Sequence, residues 1–382
     1  MQEKDRRDLR APLGTRLVAL LAVLLMAFVV GACGGDDEEE GGGGSADSGE
    51  KPKGKVGVIL PDAASSARWE TADRKFLGEA FEAAGVEYDI QNANGDKAKF
   101  ATIADQMING GASVLMLVNL DSPSAATVIK KATDQGIATI DYDRLTLGGN
   151  AQYYVSFDNV AVGTNIGEGL VKCMQENGDD SGPVALLNGS PTDNNATLFK
   201  QGYEKAITDA GYEVAADQSV PDWDNTKAGT IFEQMYTKAN GNFVGVASAN
   251  DGLGGAVAAV LKRNGDTDKI PTTGQDATAE GLQRVLLGSQ CMTVYKAIKK
   301  EADAASELAI ALINGDQAAA DALATGSVED TETGQPVKSV LLEPQPIFKE
   351  SVKDVVADGF VAAEDVCTNA ALKQACEENG VG

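Results

Sequence analysis

The chain has two tryptophans, Trp69 and Trp223, and each stands in a run of polar and charged side chains that could grip a polyhydroxylated ring. Trp69 closes Ser65-Ser66-Ala67-Arg68-Trp69, and Trp223 closes Pro221-Asp222-Trp223. Related clusters recur at Tyr142-Asp143-Arg144, at Ser190-Pro191-Thr192-Asp193-Asn194-Asn195, at Asn250-Asp251, at Gln275-Asp276-Ala277 and at Lys296. Sugar hydroxyls both donate and accept, so carboxylate, amide, guanidinium and ammonium groups pair with them, often through two bonds each. The C–H faces of a pyranose pack on indole. The set therefore suits a carbohydrate.

Taken one at a time, these residues have plainer uses. Asp and Asn at the start of a helix cap it, and Asp193 or Asn195 is placed to do so. A tryptophan is usually core. The functional reading rests on the set: both indoles and three cations, Arg68, Arg144 and Lys296, on one rim.

Other chemistry is poorly supplied. The chain has no histidine, which removes a Ser-His-Asp hydrolase and a histidine zinc site. Gly252-Leu253-Gly254-Gly255 is neither a dinucleotide fingerprint nor a P-loop. Asp266-Thr267-Asp268 does not match a calcium loop. Asp143, Asp193, Asp251 and Asp276 could converge as glycosidase carboxylates. Each, however, is expected beside a cation or amide that keeps it ionised and poor as a general acid. No catalytic residue, metal or cofactor is expected.

The elements that must position this set follow an alternating pattern. Strand-like runs at 56–60, 86–90, 114–118 and 138–141 alternate with helical stretches at 72–84, 100–109 and 123–135. Gly85, Gly110 and Gly136 close those helices. The rhythm restarts with runs at 184–187, 213–219, 245–248 and 272–274, between helices at 198–210, 228–238, 255–264 and 280–287. A strand at 292–295 and a helix at 302–313 follow. This is an α/β pattern of two parallel-sheet halves, each doubly wound by helices. Every polar cluster above follows a strand, where open parallel sheets bind ligands. Two such halves predict two lobes facing one cleft.

The ends of the chain address location. Arg6, Arg7, Arg10 and Arg16 precede an apolar run over 17–30, shorter than the roughly 20 residues a membrane span needs but suited to a signal peptide. Val30-Gly31-Ala32-Cys33 resembles a bacterial lipobox, so 1–32 is expected to be removed and Cys33 lipidated. The acidic, glycine-rich 33–54 stretch has nothing to bury and reads as a flexible tether. Roughly 330 residues remain, enough for two domains. An exported chain is expected to oxidise its cysteines. Cys367 is expected to pair with nearby Cys376, which would leave Cys173 for Cys291; free buried thiols are the alternative, and the sequence alone leaves the connectivity open. The net charge of −25 argues against nucleic acid, and membrane contact is expected through the lipid alone.

In its clusters the chain resembles the periplasmic sugar-binding proteins of ABC transporters, within the ribose-type cluster the xylose-binding group. The landmarks are Ala67-Arg68-Trp69, Gln91-Asn92-Ala93-Asn94-Gly95, Tyr142-Asp143-Arg144, Ser156-Phe157-Asp158-Asn159, Gly189 to Ala196, Ala249-Asn250-Asp251, Gly274 to Ala277 and Met292 to Lys296. The resemblance implies a type I fold with three crossings between lobes, near 157–159, 292–295 and 342–346. It implies an N-terminal lobe of 55–157 and 293–342, and a C-terminal lobe of 158–292 and 343–382. It implies sugar contacts from Arg68, Trp69, Asp143, Arg144, Asp193, Asn195, Trp223, Asn250, Asp276 and Lys296. The expected ligand is a monosaccharide, D-xylose foremost, delivered by a monomeric receptor to an ABC permease. Ser65-Ser66-Ala67 departs from the xylose pattern toward relatives that take several aldoses, arabinose, galactose and glucose among them. The alternative is a sensor presenting such sugars to a receptor. The four non-lipidated cysteines and the tail beyond 360 lie outside the family core.

Overall fold

The computed structural model describes residues 54–382. The expected signal peptide, Cys33 and nearly all of the tether lie outside the described residues. No helix among the described residues is long and apolar enough to cross a membrane.

Twelve strands run in chain order as β1 (Lys55–Leu60), β2 (Glu87–Asn92), β3 (Val114–Leu117), β4 (Ala138–Tyr142), β5 (Tyr153–Phe157), β6 (Pro183–Asn188), β7 (Glu213–Ser219), β8 (Gly245–Ser248), β9 (Thr293–Tyr295), β10 (Gly326–Asp330), β11 (Gln335–Leu342) and β12 (Gln345–Ile347). The first lobe is built on a seven-stranded sheet ordered β10-β11-β5-β4-β3-β1-β2. It is parallel except for the β10–β11 hairpin at its edge. The second lobe has a parallel sheet ordered β7-β6-β8.

Burial explains the parallel arrangement. β3 is buried throughout, as is β1 after Lys55, which is how strands read when helices cover both faces. Alternate residues serve opposite layers. Val56, Val58, Leu60 and Met116 pack with Leu77, Phe81 and Leu308, while Ile59, Leu115 and Leu117 pack with Phe100, Met107 and Ile129. The second lobe has its own cluster, which includes Leu170, Leu186, Phe199, Tyr203, Phe232 and Val257.

The chain passes between the sheets at three places. It leaves β5 into helix Asn159–Glu176, leaves β9 into helix Ile298–Ile313, and runs from β11 into β12. These passages are joined laterally. Asp158 N donates to Leu342 O at 2.9 Å, and β12 pairs antiparallel with β9 through Tyr295 and Gln345. One hydrogen-bonded strip thus connects the lobes.

Some local expectations need correction. The 272–274 run is no strand; Thr272 alone bridges to Val246. Gly110 closes the second helix as expected, with the left-handed turn following at Gly111 (φ 82°), but the third helix is capped by Asp134, ahead of Gly136. Helix Asn159–Glu176, β5 and the β10–β11 hairpin were not anticipated. The tail folds as helices Val352–Ala357, Ala363–Val366 and Ala370–Asn379 against helix Ala279–Leu287. Cys367 is joined to Cys376, and Cys173 to Cys291, with Cα separations of 6.2 and 6.4 Å.

Candidate functional site

Helix starts place much of the site. Asp193 caps helix Asn194–Asp209 by accepting from Asn195 N at 2.9 Å. Asn250 caps helix Asp251–Asn264 by accepting from Leu253 N at 2.9 Å. Capping and lining the cleft are here performed by the same residues. Asp143 sits at φ 63° in a turn closed by Arg144 N donating to Tyr142 O at 2.8 Å. In a strand, neighbouring side chains point to opposite faces; this turn lets Asp143 and Arg144 share one cavity.

All ten expected residues line that cavity, from both lobes. Ser65, Ser66, Phe199 and Gln275 complete the lining. The first two and Gln275 belong to the strand-end clusters but were not assigned as contacts. Phe199 sits four residues beyond Asn195 on the same helix, and that i,i+4 spacing was the signal that could have found it.

Charge fixes the geometry. Arg68 donates from Nε and Nη2 to Asp73 (2.8 and 2.7 Å), from Nη2 to Glu301 Oε2 (2.6 Å) and from Nη1 to Asp143 Oδ2 (2.8 Å). Burial pulls its pKa down, but Asp73, Glu301 and Asp143 together hold it well above the ordinary value. Its guanidinium carbon stands 4.3 Å from the centre of the Trp69 ring, within cation–π range. Burial pushes the Asp143 carboxyl up, yet Lys296, Arg68 and Arg144 outweigh it and keep Asp143 below the usual carboxylate range. Asp143 is therefore an ionised acceptor and no proton donor.

Other contacts span the cleft. Asn195 Nδ2 donates to Asp143 O and Oδ1 at 2.9 and 3.2 Å, and Ser66 Oγ to Asp276 Oδ2 at 3.3 Å. Arg144 Nε lies 3.0 Å from Asp193 Oδ2 but off hydrogen-bond alignment, so its N–H is buried without an acceptor. Lys296 Nζ stands 3.4 Å from Asp276 and 3.7 Å from Asp143. Trp223 donates from Nε1 to Asp193 Oδ2 at 3.0 Å. A Cβ on Gly189 would fall 2.0 Å from the Trp223 ring, so only glycine admits the indole there.

Of the four candidate glycosidase carboxylates, Asp143, Asp193 and Asp276 line the cavity, each beside a cation. Asp251 lies outside the lining, its oxygens taken by Gln290, Thr293 and Thr278. Burial raises its pKa to about 6. Glu301 lies behind Arg68, also outside the lining. Among the described residues no acid–histidine–cysteine group could hold a metal.

Two α/β lobes joined by a three-stranded strip around one small polar cavity define a two-lobed solute-binding protein. The model of the periplasmic binding protein domain matches residues 56–317. The chain is 33% identical to the D-xylose-binding periplasmic protein of Escherichia coli over 311 residues, 80% of this chain and 90% of that one. It is 30% identical to the multiple sugar-binding periplasmic receptor ChvE of Rhizobium radiobacter, over 80% and 90% of the two chains. A carbohydrate transporter solute binding protein from Chloroflexus aurantiacus, solved with D-glucose, superposes with a TM-score of 0.71 at 26% identity, covering 81% of this chain and 97% of the other. The chain belongs to the periplasmic binding protein family. It is accordingly a binding protein of the type I fold and not an enzyme, and the family's place is outside the cytoplasm.

Proposed function

We propose that the chain is an extracytoplasmic lipoprotein that captures one monosaccharide, D-xylose or a close aldose, and delivers it to an ABC permease. The observation that carries this reading is the balance of the cavity. Its lining sets three cations, Arg68, Arg144 and Lys296, against three carboxylates, Asp143, Asp193 and Asp276, beside two indoles. Such a lining favours a neutral ligand rich in hydroxyls. The buried N–H of Arg144 without an acceptor supports direct contact with that ligand. The relatives named for D-xylose and for multiple sugars support the sugar class.

On this reading the ten residues contact the sugar. The lobes, 55–157 with 293–342 and 158–292 with 343–382, close by rotation about the strip that joins them. Closure is favoured because only the closed form presents both linings to the sugar. Cys33 carries the lipid that keeps the receptor near its permease.

The test is a thermal-shift panel of pentoses and hexoses. D-xylose at a hundredfold excess over its Kd should stabilise the chain by about 2.7 kcal/mol. Trp223→Ala and Asp276→Ala should each abolish the shift, read at a temperature where the variant still melts cooperatively, since truncating the buried Trp223 should itself lower the unliganded Tm. Absence of any shift across the panel would sink the reading. Equal shifts with L-arabinose, D-galactose and D-glucose would replace D-xylose with a broad aldose range.

A further inference from the structure

We propose that Gln275 reads one ring hydroxyl of the bound sugar and thereby sets which aldose the cleft accepts; this rests on the sugar-binding reading above. Gln275 lines the cavity and is 4% exposed. Its Oε1 is buried without a donor, and its Nε2 has no acceptor among the described residues. The backbone around it is held. Gln275 O accepts from Asp251 N at 2.9 Å, Gly274 O accepts from Val294 N at 3.2 Å, and Asp276 N donates to Val294 O at 2.9 Å. Asp276 and Ala277 then turn through φ 96° and 50°. The backbone at Gln275 is thus fixed beside Asp276, on a loop bonded to Val294 of β9, which stands two residues before Lys296.

Asn159 Oδ1 is also buried without a donor, but Asn159 lies outside the lining, and its Nδ2 is bonded; Gln290 and Asn195 are paired at both ends. Gln290 donates from Nε2 to Asp251 Oδ1 (2.7 Å) and Met292 O (3.1 Å) and accepts at Oε1 from Arg284 Nε (3.0 Å). Asn195 is likewise occupied at both ends, by Asp143 and by Asn159. A buried carboxamide left unpaired carries a desolvation cost that a ligand in the cavity would relieve. A carboxamide offers one acceptor and two donors on adjacent atoms, and a hydroxyl is both donor and acceptor. A site built to bond a hydroxyl rejects the analogue lacking it far more strongly than a pocket rejects a missing methylene.

The test is calorimetric titration of the full chain, and of its Gln275→Leu and Gln275→Met variants, with D-xylose and its 1-, 2-, 3- and 4-deoxy derivatives. Removing the amide should weaken D-xylose at least about tenfold while the unliganded Tm is unchanged or raised. For one of the four deoxy sugars parent and variant should bind alike, which identifies the hydroxyl read. An unchanged affinity for D-xylose, or an equal loss across all four derivatives, would overturn the proposal and leave Gln275 a packing residue. The Met variant keeps the test valid if the Leu variant does not fold. Failure of the parent to bind D-xylose or any other aldose would instead overturn the sugar-binding reading itself, before any variant is compared.

Discussion

Arg68 has five N–H donors and gives four of them to Asp73, Glu301 and Asp143, which leaves one for the cavity. Its partners therefore act as a mount. That mount shows in the titration of Glu301. Burial first, and then the neighbouring Asp143 and Asp73, raise its pKa to about 8 against the pull of Arg68. An acid whose folded pKa lies above its unfolded one makes the fold lose stability as pH rises from about 4.5 toward about 8. Asp141, raised by burial to about 7, adds to the same slope. Glu301→Gln should therefore flatten part of the decline in Tm between pH 5 and pH 8, gaining on the parent at the alkaline end. A variant that tracks the parent at every pH would show Glu301 ionised. Gly189→Ala belongs to the same scale. Its new methyl meets the Trp223 ring, so D-xylose affinity should fall at least about tenfold, as when one binding group is misplaced, with titration calorimetry as the check. The ten lining residues were legible because their types cluster after strands. Asp73 was not, since its role is to face an arginine. Glu301 left a trace, for it falls on the buried stripe of its helix with Ile298, Ala302 and Ala305, where an acid is out of place.

The least legible element is helix Asn159–Glu176. It carries Gly163, Gly167 and Gly169, and glycine in a helix interior costs about 1 kcal/mol relative to alanine, so its sequence reads poorly as a helix. The reason lies in packing. A Cβ on Gly163 would stand 2.0 Å from Phe199 O, and one on Gly202 2.4 Å from Val160 O. The two helices touch backbone to backbone, and the second of them carries Asn195 and Phe199 into the cavity. Gly163→Ala should therefore destabilise the chain by about 1–3 kcal/mol, the usual range for overpacking, read as a lower urea midpoint at unchanged slope. A neutral result would mean that the helices sit farther apart. The strands that were legible are β1 to β4 and β6 to β9, most of them apolar or alternating runs bounded by turns. β5 and the hairpin were missed because each follows a polar or glycine-rich stretch and is defined by its partner rather than by its own periodicity. Thr272 failed as a strand because its run reaches only one bridge before Gly274 turns toward β9.

At the scale of the whole molecule the charge is lopsided while the cavity is not. The chain carries −25 overall, yet the lining is balanced three against three. A neutral sugar should consequently bind with an affinity that changes less than about twofold between 50 and 500 mM salt, since an uncharged ligand has no Coulombic attraction to screen and the buried ion pairs are screened little. D-xylose 5-phosphate should fail to compete. A strong salt dependence for D-xylose would mean that ion pairs form or break on binding. The two-lobed plan was legible because the α/β rhythm starts twice. The way the crossings lie side by side was not, because it depends on contacts such as Asp158 with Leu342 that no local pattern encodes.

That lateral bonding has a practical corollary. On the proposed closing motion, three ropes tied into one ribbon should permit a fold and resist a twist. Asn94 and Lys227 stand on opposite lips of the groove outside the cavity. A donor dye at one and an acceptor at the other would then report, through one distance, how full the receptor is. The molecule is already laid out as a gauge with a single needle.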